Sequence, residues 1–297
     1  MKKGCLLLYC LIFLLSFSGC NKGSDPPVKT PETIDLLNVT DCIITGETPT
    51  FDIATWNLEN FPLGSKTVDN VVAIIKAMDV DLVAVQEITS TASFEALTNK
   101  LAGWSATELT SGGLKYGYLY KESVVTITER AMTIYNNDHS AFPRPPQVIT
   151  AKHQNGLEVT FINIHLKARG GQENEDRRRA ASVLLKEFID TQHATDNVVV
   201  LGDYNDLIIE DNPNDNVFKN FIEDSDNYRF ADMGIAADNK QGWSYPSWPS
   251  HIDHMLITNE LFDNEADVFT LSLDDCDSDY ESIVSDHRPL ILILDKD

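Results

Sequence analysis

Residues 197–205 read Asn197-Val198-Val199-Val200-Leu201-Gly202-Asp203-Tyr204-Asn205. The apolar, mostly β-branched run is short and reads as a strand. It gives way at once to a glycine and then to polar groups. Polar residues at a strand end fall where α/β proteins gather their active sites. The same arrangement recurs elsewhere in the chain. Phe51-Asp-Ile-Ala-Thr-Trp56 reads as a strand and leads to Asn57, and Asp81 to Val85 leads to Gln86 and Glu87. The β run from Leu157 ends in Asn163-Ile164-His165, Ile252-Asp253-His254 opens a late strand, and Ser285-Asp286-His287 precedes Leu290 to Leu294.

Between these strands the period changes. Val68, Val71, Val72, Ile75 and Met78 recur at helical spacing and predict a helix over 66–78. Ser93 to Leu101 predicts a second, and Glu173 to Asp190 a third, with Ala180, Leu184 and Phe188 on one face and acids at its start. Tyr116 to Tyr120, Val124 to Thr128, Gln147 to Lys152 and Leu157 to His165 read as strands in hairpin succession, with Asn155-Gly156 as a turn. Val268 to Leu271 adds a strand, and an edge strand is expected around Cys42-Ile43-Ile44. Glu210 to Asp226 is acidic and irregular. Hairpins mixed with strand–helix–strand segments imply an α/β protein of sheets packed face to face with helices outside.

The N-terminus reads as a targeting segment. Lys2 and Lys3 precede an apolar run from Leu6 to Phe17, which ends in Phe17-Ser18-Gly19-Cys20. Small residues directly before a cysteine resemble a bacterial lipobox. On that reading residues 1–19 are a lipoprotein signal peptide and Cys20 carries a lipid. Residues 20–50 form a tether and N-terminal extension, and 51–297 the folded domain. The protein is then expected outside the cytoplasm, anchored to a bacterial membrane at the outer membrane or cell surface. Of five cysteines, Cys42 and Cys276 remain after the leader and Cys20 are set aside. A bridge between them and two free thiols are both open, because spacing does not decide geometry.

The formal charge of −23 argues against tight, sequence-independent binding to duplex DNA, which depends on Lys and Arg neutralising phosphates. It leaves room for a polyanionic substrate, since a bound divalent cation changes the local field. Lys167, Arg169, Arg177, Arg178 and Arg179 are a local basic concentration. They read either as a solvated helix face countered by Glu173, Glu175 and Asp176 or, for Lys167 and Arg169, as flanks of a substrate channel. His139, His153, His193 and His251 are expected at the surface. Trp243, Tyr245 and Trp248 read equally as an exposed aromatic loop or as core.

The polar residues at strand ends form a chemical set. Glu87, Asp203 and Asp286 are hard oxygen ligands and Asn57 and Asn205 carry amide oxygens, which suits Mg²⁺, with Mn²⁺ as the alternative. His165 and His287 are proton-transfer groups, and Asp253 is placed to hold His287 in one tautomer. Carboxylates and histidines without a Ser or Cys nucleophile point to direct attack by water on a phosphate ester.

Taken in order, Trp56-Asn57, Gln86-Glu87, Asn163-Ile-His165, Gly202-Asp-Tyr-Asn205, Ile252-Asp253 and Ser285-Asp-His287 resemble the endonuclease/exonuclease/phosphatase family, over about residues 51–296. The resemblance implies a four-layered α/β sandwich, two packed mixed β-sheets flanked by helices. It implies metal ligation by Asn57, Glu87 and Asp286, and catalysis by His165, Asp203, Asn205, Asp253 and His287. It places Arg144, Tyr116 and Asn163 on the substrate. His165 would contact the phosphate or protonate the leaving group. The stretch Gly113-Leu114-Lys115-Tyr116 offers no acid to pair with His165, and His254 stands where many relatives carry Tyr or Phe. The expected activity is Mg²⁺-dependent phosphodiester hydrolysis by an extracytoplasmic nuclease. The alternatives are a phosphatase or sphingomyelinase-like phospholipase C, and a non-catalytic surface binding protein.

Overall fold

The computed structural model describes residues 36–43 and 49–296. The leader, Cys20 and most of the tether lie outside the described residues. Among the described residues twelve strands run β1 (Phe51–Phe61), β2 (Leu82–Ile88), β3 (Trp104–Ala106), β4 (Lys115–Lys121), β5 (Val125–Thr133), β6 (Gln147–His153), β7 (Glu158–His165), β8 (Val198–Asp203), β9 (Tyr228–Phe230), β10 (Asp253–Thr258), β11 (Glu265–Thr270) and β12 (Leu290–Leu294). The longer helices are α1 (Thr67–Met78), α2 (Thr91–Lys100) and α3 (Gln172–Gln192).

The strands form two six-stranded sheets, ordered β11-β12-β1-β2-β4-β3 and β5-β6-β7-β8-β10-β9. Each has one parallel pair near its centre, β1 with β2 and β7 with β8. The other pairings are antiparallel. A parallel pair needs a crossover, and α1 and α3 supply them.

Three apolar clusters explain the layering. Val71, Ile75 and Met78 of α1 pack on Ala54, Trp56, Val83 and Val85 of the first sheet. Phe51, Ile53, Leu82 and Ala84 meet Phe161, Val199, Leu201 and Met255 between the sheets. Ala181, Leu185 and Ile189 of α3 cover Ile162, Ile164, Val198 and Val200. The result is the expected four-layered α/β sandwich. Each large apolar side chain so buried contributes about 1.5–3 kcal/mol.

Four expectations change. Tyr116 to Tyr120 and Val124 to Thr128 do not pair as a hairpin, because β4 lies in the first sheet, between β2 and β3, and β5 at the edge of the second. Period-2 patterning cannot show which sheet a strand joins. Cys42 lies in a 3₁₀ turn, Thr40–Cys42, rather than an edge strand; Ile44 lies outside the described residues. His153 is buried, stacked on Phe51 at 4.8 Å. His251 is buried against Asp232 at 3.0 Å. Cys42 and Cys276 are bridged across 234 residues.

Candidate active site

Strand alternation builds the site. On the faces that meet between the sheets, apolar residues occupy one end and polar residues the other. β1 runs Phe51, Ile53, Thr55, Asn57, and β2 runs Leu82, Ala84, Gln86. β7 runs Val159, Phe161, Asn163, His165, and β8 runs Val199, Leu201, Asp203. Antiparallel β10 reverses the order and brings Asp253 opposite Asp203. His165 pairs in register with Asp203, and Asn57 with Gln86. The carboxyl ends of both parallel pairs therefore open at one edge of the sandwich.

Glu87 breaks the alternation. It follows inward-facing Gln86 and would point toward the helices, but its φ of 61° turns it back. Glu59, Asn60 and Asn205 also hold left-handed conformations, at φ 38°, 50° and 54°. Such residues cost about 1–3 kcal/mol each and concentrate at functional sites. Gly202 solves a different problem. Its φ is 135°, and a Cβ there would lie 2.0 Å from the Ile164 carbonyl oxygen.

Asp203 Oδ2 is the meeting point. Asn57 Nδ2 donates to it at 3.0 Å, His165 Nε2 lies at 3.4 Å and His287 Nε2 at 4.0 Å. Its other oxygen accepts the Asn205 amide N–H at 2.8 Å. Glu87 Oε1 is 3.4 Å from Asn57 Nδ2 and 3.7 Å from His165 Nε2. His287 Nδ1 binds Asp253 Oδ2 at 2.7 Å. Ser285 Oγ donates to the Asn57 carbonyl and accepts the His287 N–H, tying the first and last motifs together.

Burial drives the electrostatics. Desolvation and then the neighbouring Asp253 charge push the Asp203 carboxyl up to about 7, against the opposing pull of His287 and Asn57. Burial alone would depress His287, but the carboxylates of Asp253, Asp203 and Asp286 outweigh it and raise its imidazolium to about 10. His165 moves the other way, well below the usual histidine range, through desolvation and the positive charges of Arg144 and His287. One histidine is thus held charged and the other neutral.

Several expected residues sit elsewhere in the scheme. Asn163 is fully buried, and its amide is spent on Gln86, Val85 and Gly117. It fastens the two sheets beneath the site, so it is not a surface that substrate touches. Tyr116 is also fully buried, and its hydroxyl donates to the Arg144 carbonyl at 3.1 Å. It holds the Arg144 segment from behind. Arg144 itself reaches the site's rim. Its Nη2 donates to the Leu166 carbonyl, which also accepts from Asn205 Nδ2, and its buried Nε has no partner among the described residues. His165 Nδ1 is likewise buried without a partner, so no acid pairs with it among the described residues.

The basic concentration is neither a plain solvated face nor wholly a channel wall. Arg177 donates to the Ser140 and His139 carbonyls, and Arg179 to those of Asn216 and Asp215. Buried Arg178 binds the Asp206 carboxylate and the carbonyls of Lys167 and Arg169. These arginines clasp loops. Lys167 is half-buried and Arg169 exposed, on the loop that follows His165.

Glu59 was not anticipated. Its carboxylate accepts the Asp286 N–H at 3.0 Å. Burial first, and then the Asp286 charge, raise its pKa. Asp286 is raised too, by burial and by Glu87, although His287 opposes the shift. Among the described residues nothing hydrogen-bonds the buried Asp286 Oδ1. Crowded carboxylates with an orphaned oxygen fit a hard divalent cation, and Glu87 and Asp286 are the groups placed to hold one. The Asn57 amide nitrogen faces the acids and its oxygen accepts the Glu59 N–H, so it links Glu87 to Asp203. A cue for Glu59 existed in Trp56-Asn-Leu-Glu59-Asn60, but alternation assigns that residue no face once the strand bulges.

A sequence profile of the Endonuclease/Exonuclease/phosphatase family matches residues 54–287. No curated protein matches the chain significantly. Among solved structures, Danio rerio TDP2 complexed with a single-strand DNA product is 12% identical, with TM-score 0.64, covering 84% of this chain and 100% of that one. The human nocturnin catalytic domain with bound sulfate is 19% identical, with TM-score 0.61, covering 82% and 93%. A Bacteroides vulgatus endonuclease/exonuclease/phosphatase is 17% identical, with TM-score 0.60, covering 84% and 100%. At these identities the likeness establishes the fold.

Proposed function

This chain belongs to the endonuclease/exonuclease/phosphatase family, and from that premise we propose that it is an extracytoplasmic, metal-dependent nuclease acting on single-stranded nucleic acid. Phosphoric ester hydrolysis follows from the family. The convergence of Asn57, His165 and His287 on one oxygen of Asp203 carries the reading to a mechanism. Glu87 and Asp286 would hold a divalent cation such as Mg²⁺, which would supply positive charge to a phosphoryl oxygen, and Asn57 links Glu87 to Asp203. The rest falls to side chains. Asp203, whose proton affinity lies near neutrality, accepts the proton of the attacking water, which Asn205 helps to place. The His287 imidazolium, fixed by Asp253, stabilises charge developing on the phosphate. His165 is held neutral and donates a hydrogen bond to phosphate; as the water adds, the P–O bond to the leaving group breaks and the leaving oxygen takes its proton from solvent. Arg144 Nε, buried and without a partner among the described residues, suits the same anion.

An aromatic hairpin beside the site supports a nucleic acid. Tyr245 packs on His287 with ring centroids 4.8 Å apart, and Tyr245 and Ser250 form a β-bridge. Trp248, between them, is 78% exposed. Bases stack on such rings irrespective of sequence. The zebrafish TDP2 structure of the same fold holds a single-strand DNA product. The lipobox-like Cys20 motif and the Cys42–Cys276 bridge support an oxidising compartment outside the cytoplasm. Anchoring is checked by lipid labelling of wild type against Cys20→Ser.

The test is a panel with Mg²⁺: single-stranded oligonucleotide, duplex DNA, RNA, sphingomyelin vesicles and inositol phosphates. Single strands should be cut best. Trp248→Ala should raise KM for them about 10-fold, from the loss of one stack worth about 1–3 kcal/mol, and leave a small aryl phosphodiester unaffected. Turnover of sphingomyelin or inositol phosphates alone would replace the nuclease with the phospholipase C or phosphatase reading.

A further inference from the structure

β10 carries two consecutive acid–base residues that face opposite ways. Asp253 faces the other sheet and binds His287. His254 faces α3 and is fully buried, edge-on to Tyr204 and Phe230. Its Nδ1 lies 2.6 Å from Asp232 Oδ2 and its Nε2 3.0 Å from the Asp206 backbone oxygen. The Asp206 carbonyl only accepts, and so does Asp232 in the ionised form that the Met255 N–H and His251 Nε2 on its two oxygens favour. A neutral imidazole has one N–H and would leave one ring nitrogen facing an oxygen lone pair, in a place water does not reach. Satisfying both contacts takes two protons on the ring. The surroundings balance that charge. Asp232 Oδ1 accepts the Met255 N–H at 2.9 Å, and Oδ2 also takes His251 Nε2. His251 Nδ1 accepts the Ser244 N–H, which fixes His251 as the neutral tautomer.

We propose that His254 is a buried, permanently protonated positioning residue that grips the Asp206 carbonyl and so holds the turn bearing Asp203 and Asn205. The role, though not the protonation, rests on the catalytic reading of that turn. Asp206 is held from the other side as well, where its carboxylate binds Arg178 at 2.7 Å. Asn205 between them sits in a left-handed conformation, which a loosened turn would relax. The titratable groups that face His254 are Asp232, His251, Tyr204, Asp206 and, on its own strand, Asp253. Electrostatics agree with the hydrogen bonds. Asp232's charge overcomes burial to raise His254, and His254 with His251 lowers Asp232 against its own desolvation.

Nitrogen-15 NMR of the wild-type ring tests the protonation without any variant. One histidine besides His287 should show two slowly exchanging ring N–H protons, unchanged from pH ~6 to ~9, a range through which an ordinary histidine titrates. Loss of a ring proton in that range overturns the proposal. Asp232, His251 and His254 also lie close enough to hold a metal, so one tightly bound ion per chain surviving chelation would overturn it too. For the role, Asp232→Asn/His254→Phe removes charge and grip together. It should lower kcat at least ~10-fold while KM stays within about 3-fold, as a misplaced catalytic group does. Asp232→Asn/His254→Gln restores a donor to Asp206 and should recover most of kcat. Equal kcat in both variants and wild type refutes the positioning role and leaves the nuclease reading untouched.

Discussion

Asp253→Asn separates charge from geometry at His287. In the folded protein His287 is raised from the ordinary 6.5 to about 10. A shift of that size is a preference of roughly 5 kcal/mol for the charged ring, shared among Asp253, Asp203 and Asp286. Asparagine keeps an oxygen for Nδ1–H but withdraws the charge. A histidine left at its ordinary value is protonated in only about 3% of molecules at pH 8. If the imidazolium is the working form, kcat should fall about 10- to 30-fold at pH 8 and recover toward wild type near pH ~6. The assay is kcat against pH on a chromogenic phosphodiester at saturating Mg²⁺. Stability gives a second readout with a definite sign. A folded pKa above the unfolded one contributes stability that is complete below about 6.5 and disappears as pH rises through about 10. Wild type should therefore lose urea resistance between those values and the variant should lose less. A variant whose loss is the same at every pH would show that Asp253 only orients the ring. A wild-type profile would remove His287 from the reaction as a cation.

Other outcomes follow from the same contacts. EDTA should abolish turnover and Mg²⁺ or Mn²⁺ restore it, and Glu87→Gln should weaken Mn²⁺ binding by calorimetry ~10-fold or more, because a charged oxygen ligand is lost. Asp203→Ala should lower kcat by at least ~10² with the fold intact by circular dichroism. Gly202→Ala forces a Cβ against the Ile164 carbonyl and should cost about 3 kcal/mol or more in urea unfolding. Replacing Cys42 and Cys276 together by Ser opens a 234-residue loop and should cost about 2–4 kcal/mol while sparing activity.

Much of this molecule is local in origin, and so it is legible in the chain. Period-2 runs such as Phe51 to Trp56 and the apolar stretch before Gly202 specify strands. The helical spacing of Val68 to Met78 specifies α1. Asn57, Glu87, Asp203, Asp253, Asp286 and His287 stand out as candidates because they follow or precede those runs in order. What the chain leaves open is non-local. Asn163 and Tyr116 look like substrate contacts in one dimension, but the packing of one sheet on the other encloses them. Glu87 reaches the site through a left-handed backbone that alternation does not anticipate. The partners Cys42–Cys276, Arg178–Asp206 and His254–Asp232 lie 234, 28 and 22 residues apart. Periodicity records which face a residue takes on its own strand. Only the packing of two sheets and a helix layer decides which distant side chain meets it there, and hence which histidine carries a proton.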